Sequence, residues 1–354
     1  MKKTSKIMSL VLAGAMVLSM TACAGNTAET TSAAAKTQET AADTASKAEE
    51  TTEGETSESE TAAKAEGTTY KIGVLQLVQH TALDAANDGF IAALDDAGIA
   101  YEVDQQNASG DQSACQTVAS KFANEKKDLI LAIATPAAQA MVGAVEDTPV
   151  LITAVTDPAE SGLVDTNEKP GANVTGTSDL TPVKEQIDLL KQLVPEAKTV
   201  GVLYCSAESN SKIQADMAKE AIAAAGMESK EYTVSSSNEI QTVVQSMVGA
   251  VDAVYAPTDN VIAAGMATVG MVAGDNNLPV ICGEAGMVQN GGLATYGIDY
   301  YQLGYMTGQQ AVKILTEGAS PADMPIEYLP AEKCELTVNE ETAQTLGIDV
   351  SGLK

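Results

Sequence analysis

Six short polar segments follow apolar, strand-like runs in this chain, and together they could hold a small molecule. In parallel α/β sheets, ligands bind outside the carboxyl ends of the strands, so these segments are expected to face one cleft. Most of their side chains are polar or small and carry little positive charge, which suits a small zwitterion or a neutral polar molecule. The segments are 76–80, 135–138, 153–157, 204–210, 258–260 and 283–285.

Thr135 and Ala137 begin a predicted helix, whose free amides and positive dipole end would accept a carboxylate. This device matters because all 20 basic residues are lysines. The chain therefore lacks the bidentate arginine fork that commonly binds carboxylates and phosphates. Thr-Pro is also an ordinary helix start, with Thr135 as the cap and Pro136 in the first turn. The same residues thus predict either a carboxylate contact or a simple helix cap.

An ammonium partner is expected at the matching turn in the second half of the chain. Asp259 could pair with an ammonium group, although aspartate is equally favoured as a helix N-cap. Asp157 and Glu284 either supply a second carboxylate or cap turns. His80 either stacks on or hydrogen-bonds to a ligand, or it is a surface loop residue.

Tyrosines complete the candidate site. Tyr204, Tyr296 and Tyr300 either flank the side chain of a ligand or serve as packing residues. The predicted ligand-binding residues are Gln76, His80, Thr135, Ala137, Thr156, Asp157, Ser178, Tyr204, Asn210, Thr258, Asp259, Glu284, Tyr296 and Asp299.

Several other classes of chemistry are disfavoured. No GxSxG, GxxxxGK or HExxH motif occurs, so no catalytic residue is predicted and a surface enzyme is the weaker alternative. His80 is the single histidine and no CxxC pair occurs, so neither a metal site nor a cofactor is expected. The net charge of −28 makes nucleic acid and anionic lipid surfaces poor partners. Four cysteines are predicted to be buried free thiols, with one disulfide left open: Cys115, Cys205, Cys282 and Cys334.

The elements that must position the candidate residues repeat once along the chain. The strand-like run 71–76 recurs as 199–204, with Gly73 and Gly201 128 residues apart, and a polar turn and a long helix follow each run. Three further pairs of features recur at similar offsets, which argues for two similar βα lobes. The predicted helices are 82–97, 112–124, 182–193, 209–225, 240–248 and 259–274.

The predicted fold class is α/β, with two doubly wound parallel-sheet lobes joined by a three-segment hinge. The pattern of strands and helices breaks near 178–182, 295–299 and 324–328, where the chain is expected to cross between the lobes. Three crossings would leave a hinged cleft between them. The predicted lobes are 70–179 plus 299–325, and 182–295 plus 326–354.

The amino terminus is typical of a lipoprotein signal peptide. Residues 1–22 combine early lysines with an apolar run from 7 to 20, too short for a comfortable membrane span, and small residues precede Cys23. Lipidation of Cys23 would anchor the protein on the outer face of the cell membrane, whereas ordinary secretory cleavage is the alternative. Residues 23–68 are predicted to be an acidic, disordered stalk, since 24–68 hold ten acidic residues against three lysines and almost no apolar bulk.

Eight stretches are more informative in their order and spacing than any of them alone. They are 76–90, 106–113, 132–139, 153–158, 173–179, 257–260, 295–301 and 338–348. Together they resemble the tryptophan-type substrate-binding lipoproteins of ABC transporters, over roughly residues 70 to 348.

The resemblance implies a type I periplasmic-binding-protein fold and delivery of a small solute to the membrane subunits of an ABC permease. Some members of the family are associated with aromatic amino acids, so an amino-acid-like ligand is expected. A nucleoside, a sugar or a peptide also fits a cleft of this type. A surface lipoprotein that senses its ligand and presents it to a membrane receptor would have the same sequence features.

Overall fold

Residues 67–353 are described by the structure, a computed structural model, and they form two α/β lobes with one six-stranded sheet each. This arrangement confirms the predicted fold class. The strands in chain order are β1 (Tyr70–Gln76), β2 (Tyr101–Asn107), β3 (Leu129–Ile133), β4 (Val150–Val155), β5 (Val174–Ser178), β6 (Thr199–Cys205), β7 (Glu228–Val234), β8 (Ala253–Ala256), β9 (Val280–Cys282), β10 (Ala294–Gly297), β11 (Glu327–Tyr328) and β12 (Glu335–Val338).

The two sheets have matching strand orders, which explains the sequence repeat. The first sheet runs β11-β5-β4-β3-β1-β2 and the second runs β12-β10-β9-β8-β6-β7. β1 lies between β2 and β3, and β6 lies in the same way between β7 and β8. Every pairing is parallel except that of β12, which is antiparallel to β10. The carboxyl ends of the parallel strands in each sheet therefore share one edge.

The central strands are continuous apolar runs because helices cover both of their faces. All residues of β3, β4, β8 and β9 are buried. The helices are α1 (Thr81–Asp96), α2 (Gln112–Glu125), α3 (Thr135–Val142), α4 (Val183–Leu193), α5 (Ser209–Ala224), α6 (Ile240–Met247), α7 (Asn260–Ala264), α8 (Met266–Asp275), α9 (Ala285–Gln289), α10 (Tyr300–Glu317) and α11 (Glu340–Leu346).

The predicted helix over 259–274 is two helices. α7 ends and α8 begins on either side of Gly265. A Cβ atom at this position would overlap the Ile240 side chain of α6, so glycine permits α6 to approach the junction closely. The other predicted helices agree with the structure to within one or two residues at their ends.

The chain crosses between the sheets three times. The first crossing joins β5 to α4 over 179–182, and the second joins β10 to α10 over 298–299. The pattern predicts the third crossing at 324–328, and this position needs correction. β11 pairs with β5 through Glu327↔Thr177 and Tyr328↔Ser178, so residues 327–328 extend the first sheet and the chain crosses over 329–334. A two-residue strand is too short to produce a recognisable sequence pattern.

Helix α10 packs in the first lobe although it directly follows β10, a strand of the second lobe. Its axis lies directly against α1, because glycines occupy the contact: a Cβ at Gly304 would overlap the Ala86 carbonyl oxygen, and one at Gly308 would lie 2.7 Å from the Phe90 carbonyl oxygen. This close packing brings Tyr300, the first residue of α10, to the junction between the lobes.

The predicted signal peptide, Cys23 and nearly all of the stalk lie outside the described residues. Over residues 67–353, no helix has the length and apolar character needed to cross a membrane. The four cysteines in this range are free thiols; three are buried and Cys334 is half-buried.

Candidate functional site

A small cavity lies between the two lobes, at the edge where the strands of both sheets end. The first lobe contributes residues from the start of α1, from β4, from the end of β5 and from the start of α10, and the second contributes residues that follow β6, β8 and β9. Its volume, counted as the space open to the centre of a water molecule, is about 10 Å³, which is room for about one water. The lining residues are His80, Leu83, Ala154, Asp179, Asn210, Thr258, Asp259, Ala263, Asn260, Glu284 and Tyr300.

The lobes are closed over this cavity by direct hydrogen bonds. His80 Nε2 lies 3.3 Å from Asn260 Oδ1, and Gln139 Nε2 donates to Ser209 Oγ at 3.3 Å. The buried Gln214 of α5 donates to Thr156 Oγ1 of the first lobe at 3.0 Å and also to Thr258 Oγ1 of its own lobe. A ligand the size of an amino acid therefore needs the lobes to separate before it can enter.

The cavity is acidic and has no cationic side chain. Asp179, Asp259 and Glu284 are each no more than 5 % exposed. Burial raises the pKa of Asp179 to about 6, that of Glu284 to about 7, and also that of Asp259. Burial lowers the pKa of His80, so the imidazole is neutral near pH 7. A positively charged group of a ligand would be stabilised here.

Asp259 and Glu284 already have hydrogen-bond partners on both oxygens. Asp259 caps α7, since Oδ1 accepts from Ile262 N at 2.8 Å, and its Oδ2 accepts from Cys205 N at 2.5 Å. Glu284 caps α9 by accepting from the amides of Gly286 and Met287 at 2.5 and 2.8 Å. Helix capping, the alternative role predicted for Asp259, is therefore confirmed. Glu284, for which the alternative was to cap a turn, caps a helix, and both residues also line the cavity.

Asp179 is the carboxylate with a free oxygen. It follows β5 at the start of the first crossing, and its Oδ2 accepts the Tyr300 hydroxyl at 2.7 Å. Its Oδ1 is buried and has no hydrogen-bond partner, and the same holds for Asn210 Oδ1 and His80 Nδ1. Since unpaired buried polar atoms are rare, three of them lining one cavity indicate a site for a missing donor.

Among the predicted site residues, the structure brings five together at the cavity: His80, Asn210, Thr258, Asp259 and Glu284. Sequence reasoning missed Asp179 as a site residue, whereas it offered Tyr300 as a possible flanking residue and included Asn260 in the polar segment 258–260. Asp179 directly follows the carboxyl end of β5. The other site residues are predicted from equivalent positions, but the sequence pattern assigns residues 178–182 to a connection between the lobes.

Three predicted residues support the cavity without lining it. Thr156 Oγ1 accepts from Gln214, and its carbonyl accepts from Ser178 Oγ at 2.7 Å. Gln76 Nε2 donates to Asp84 Oδ1 at 2.6 Å and to Val78 O at 2.9 Å, which fixes the start of α1.

The remaining predicted residues lie elsewhere. Tyr204 donates to Glu231 Oε1 at 3.0 Å on the neighbouring strand, and Asp157 Oδ1 accepts from Ala159 N at 3.1 Å within its own loop. Tyr296 packs against the core of the second lobe. Two residues stand at helix starts: Asp299 is exposed and caps α10, and Thr135 is fully buried with Ala137 in α3.

Thr135 does not cap its helix, contrary to the simpler of its two predicted roles. The N-cap position belongs to Ala134, and Thr135 Oγ1 is buried without a hydrogen-bond partner. The amides of Thr135 and Ala137 in the first turn of α3 also lack intrahelical partners by position, while Pro136 has no N–H. No group of three or more potential metal ligands occurs among residues 67–353.

Known proteins of the same fold are similar over nearly the whole chain. A curated relative, the tyrosine-binding protein of Clostridioides difficile, is 41% identical over 351 residues, which are 98% of this chain and 93% of the relative. A solved structure from Streptococcus pneumonia in complex with L-Trp is 39% identical with a TM-score of 0.78, covering 80% of this chain and 97% of that one.

A second solved structure is of a ligand-free, open form and matches with a lower TM-score. It is the ligand-free, open structure of a substrate binding protein with adhesive properties from Clostridium difficile, 46% identical, covering 81% of this chain and 97% of that one. Its TM-score is 0.62, below that of the L-Trp complex despite the higher identity. The lower TM-score of the open structure is consistent with the closed arrangement of the lobes in this protein, which the hydrogen bonds described above maintain.

The sequence model of the ABC transporter substrate binding proteins matches residues 71–352, which include both lobes and every residue that lines the cavity. The chain therefore belongs to the ABC transporter substrate binding protein family.

Proposed function

We propose that this protein is an exported, lipid-anchored component of an ABC importer that captures an aromatic amino acid between its lobes. One observation carries the proposal: Asp179 presents a buried, unpartnered carboxylate oxygen to an interlobe cavity that contains no cationic side chain. A buried carboxylate in that state is costly unless a cation pairs with it. The ammonium group of an amino acid supplies the charge and three N–H donors.

The acceptors around the cavity suit an ammonium group in number as well as in charge. Asp179 Oδ1 and Asn210 Oδ1 both lack donors, and they belong to the first crossing and to the second lobe respectively. An ammonium group that donates to both would link the lobes. Such a contact favours the closed arrangement only when ligand is present, which is how a ligand shifts a hinge equilibrium.

The carboxylate of the ligand is assigned to the first turn of α3. The free amides of that turn and the unpartnered Thr135 hydroxyl would replace the arginine that the chain lacks. α3 follows β3, and β3 lies next to β4, whose Ala154 lines the cavity. Thr135 lies outside the lining of the closed cavity, so the surrounding side chains must shift to admit the ligand.

The aromatic character of the ligand is taken from relatives. The 41% identical protein is named for tyrosine binding, and the 39% identical structure contains L-Trp. The family match covers both lobes, and the ligands of these two relatives share an ammonium, a carboxylate and an aromatic ring.

The location follows from the amino terminus. A lipoprotein-type signal over 1–22 would direct export, and a lipid on Cys23 would hold the protein on the outer face of the membrane. The acidic segment 24–68 would act as a tether that keeps the cleft near its permease at high effective concentration.

Isothermal titration of the purified protein with tyrosine and tryptophan tests the proposal. One saturable site is expected. The Asp179→Asn variant should weaken binding on the order of 100-fold, because it removes the charge that pairs with the ammonium group. The control is Asp188→Asn, an exposed aspartate paired with Lys184 on α4, which should leave binding unchanged. Absence of binding across amino acids, nucleosides and sugars would refute capture of a solute by this cleft.

The carboxylate assignment has its own test. Thr135→Val should weaken the binding of tyrosine more than the binding of tyrosinamide, since only the free amino acid carries the carboxylate. An equal loss for both compounds would remove Thr135 from the ligand site.

A further inference from the structure

A larger pocket adjoins the ligand cavity on the side away from the hinge. It has a volume of about 550 Å³, on the same measure that gives about 10 Å³ for the cavity. Both lobes form it: Leu77 and Val78 lie on one side, and Val261 and Ala264 lie on the other. Asn260 lines both spaces, so the pocket and the cavity are neighbours. An aromatic ring that leaves the small cavity in this direction would meet these apolar side chains from both lobes, within a lining that is otherwise mostly polar.

Glu208 lines this pocket and is one of the most deeply buried acids in the protein. It occupies the N-cap position of α5, but its side chain makes no capping hydrogen bond. Instead, Oε2 accepts from Asn260 Nδ2 at 2.6 Å, Asn260 N at 3.3 Å and Asn210 Nδ2 at 3.4 Å. Only 3 % of the residue is exposed.

The second oxygen of Glu208 is unused. Oε1 is buried and has no hydrogen-bond partner, and no lysine lines the pocket. Burial, and then the nearby Asp259, raise the pKa of Glu208 to about 8 in the ligand-free protein, and an ammonium group bound in the adjoining cavity would lower this pKa and favour the accepting carboxylate. Both asparagines that hold Oε2 also line the ligand cavity, so they fix the carboxyl group, with its one unused acceptor, between that cavity and the pocket that Glu208 lines.

We infer that Glu208 accepts a hydrogen bond from the donor on the aromatic ring of the ligand, the phenol O–H of tyrosine or the indole N–H of tryptophan. This inference rests on the proposed function, because it needs an amino acid whose ammonium group lies at Asp179. A buried acceptor discriminates strongly against a ligand that cannot satisfy it. Glu208 therefore determines specificity: the site selects aromatic rings that carry a donor and rejects phenylalanine.

The test is to measure the affinities of tyrosine, tryptophan and phenylalanine by titration calorimetry. The unmodified protein should bind tyrosine and tryptophan on the order of 10- to 100-fold more tightly than phenylalanine, the range expected when a buried acceptor is left without its donor. Glu208→Ala should reduce the affinities for tyrosine and tryptophan to that for phenylalanine, and it should leave the affinity for phenylalanine almost unchanged. Glu220→Gln, an exposed change on the same helix, is the control and should alter none of the three.

Glu208→Gln should change the affinities for tyrosine and tryptophan differently. Because its side chain has nearly the same size and shape, this variant should also fold if the alanine variant does not. The asparagine donors require the amide oxygen of Gln at the place of Oε2, so its NH₂ group would face the ligand. A phenol oxygen can accept from this group but an indole N–H cannot, so tryptophan should lose about tenfold or more in affinity while tyrosine loses little.

Two results would overturn the inference. One is equal affinity of the unmodified protein for phenylalanine and tyrosine. The other is an equal loss for all three amino acids in the folded Glu208 variants, which would mean that this carboxyl group serves the ammonium end or the structure alone. Failure of every amino acid to bind would instead refute the proposed function.

Discussion

The hydroxyl of Tyr300 donates to Asp179 Oδ2 at 2.7 Å, and this contact joins the first and second crossings between the lobes. Both residues also line the interlobe cavity. The group that would bind the ammonium of a ligand is thus held by the segments that must move when the lobes open. Ligand binding and lobe closure therefore share a residue, which is the direct structural route by which one can influence the other.

Tyr300→Phe should shift the pH dependence of amino-acid binding. Binding of an ammonium group requires ionised Asp179, so affinity should fall as the pH drops below about 6, the raised pKa of Asp179. The Tyr300 hydroxyl opposes that rise in pKa, so its removal should move the midpoint to higher pH and weaken binding about tenfold at pH 7. Titrations between pH 5 and 8 measure both effects. A midpoint that stays in place would argue that Asp179 is not the group whose ionisation controls binding.

The ligand-free protein should become more stable as the pH falls from 7 towards 4. Burial raises the pKa of Asp179 from 3.8 to about 6 in the folded state. Between these values folded Asp179 keeps a proton that the unfolded chain releases, so its contribution to the free energy of unfolding decreases as the pH rises through this window and is level above it. The pKa difference corresponds to about 3 kcal/mol.

Urea unfolding of Asp179→Asn isolates this component. Acidification also reduces the net charge of −28, which stabilises the compact state by itself, and that background is common to both proteins. The variant should be more stable than the unmodified protein at pH 7 and about equal to it near pH 4. Parallel stability curves for the two proteins would show that burial does not perturb this carboxyl group.

Much of this architecture follows from the sequence. The repeat of Gly73 and Gly201 in equivalent strands predicts two equivalent lobes, because central parallel strands need continuous apolar runs and therefore leave a clear pattern. Polar residues at strand ends predict where the lobes face each other, and His80, Asn210 and Asp259 do line the cavity.

Other features depend on contacts between distant segments and leave no local pattern. The two-residue strand β11 exists only because β5 offers it an edge. Tyr204 follows the correct strand pattern, but its hydroxyl is bound to Glu231 of β7. Asp179 and Tyr300 are 121 positions apart in the chain, so their pairing could not be inferred from either segment alone.

Gly304→Ala should destabilise the first lobe. The added Cβ would overlap the carbonyl oxygen of Ala86 in α1, and backbone cannot yield as a flexible side chain can. The free energy of unfolding should fall by about 1–3 kcal/mol. The control is Gly274→Ala in α8, where a Cβ would meet no atom within 4 Å and where alanine should be neutral or slightly stabilising. Urea denaturation compares the two, and equal stabilities would show that α1 and α10 can separate without cost.

Cys23→Ala should leave ligand binding intact and release the protein from the membrane. The residues that line the cavity lie between His80 and Tyr300, well away from the amino terminus in sequence, so the affinity measured by calorimetry should not change. Attachment, in contrast, would depend on a lipid carried by the Cys23 thiol. Fractionation of cells that express each form measures the outcome, with Cys334→Ala as the control for loss of an unrelated, half-buried thiol. The Cys23 variant should move to the soluble fraction or the medium, and its retention in the membrane fraction would refute the lipid anchor without affecting the assignment of the cleft.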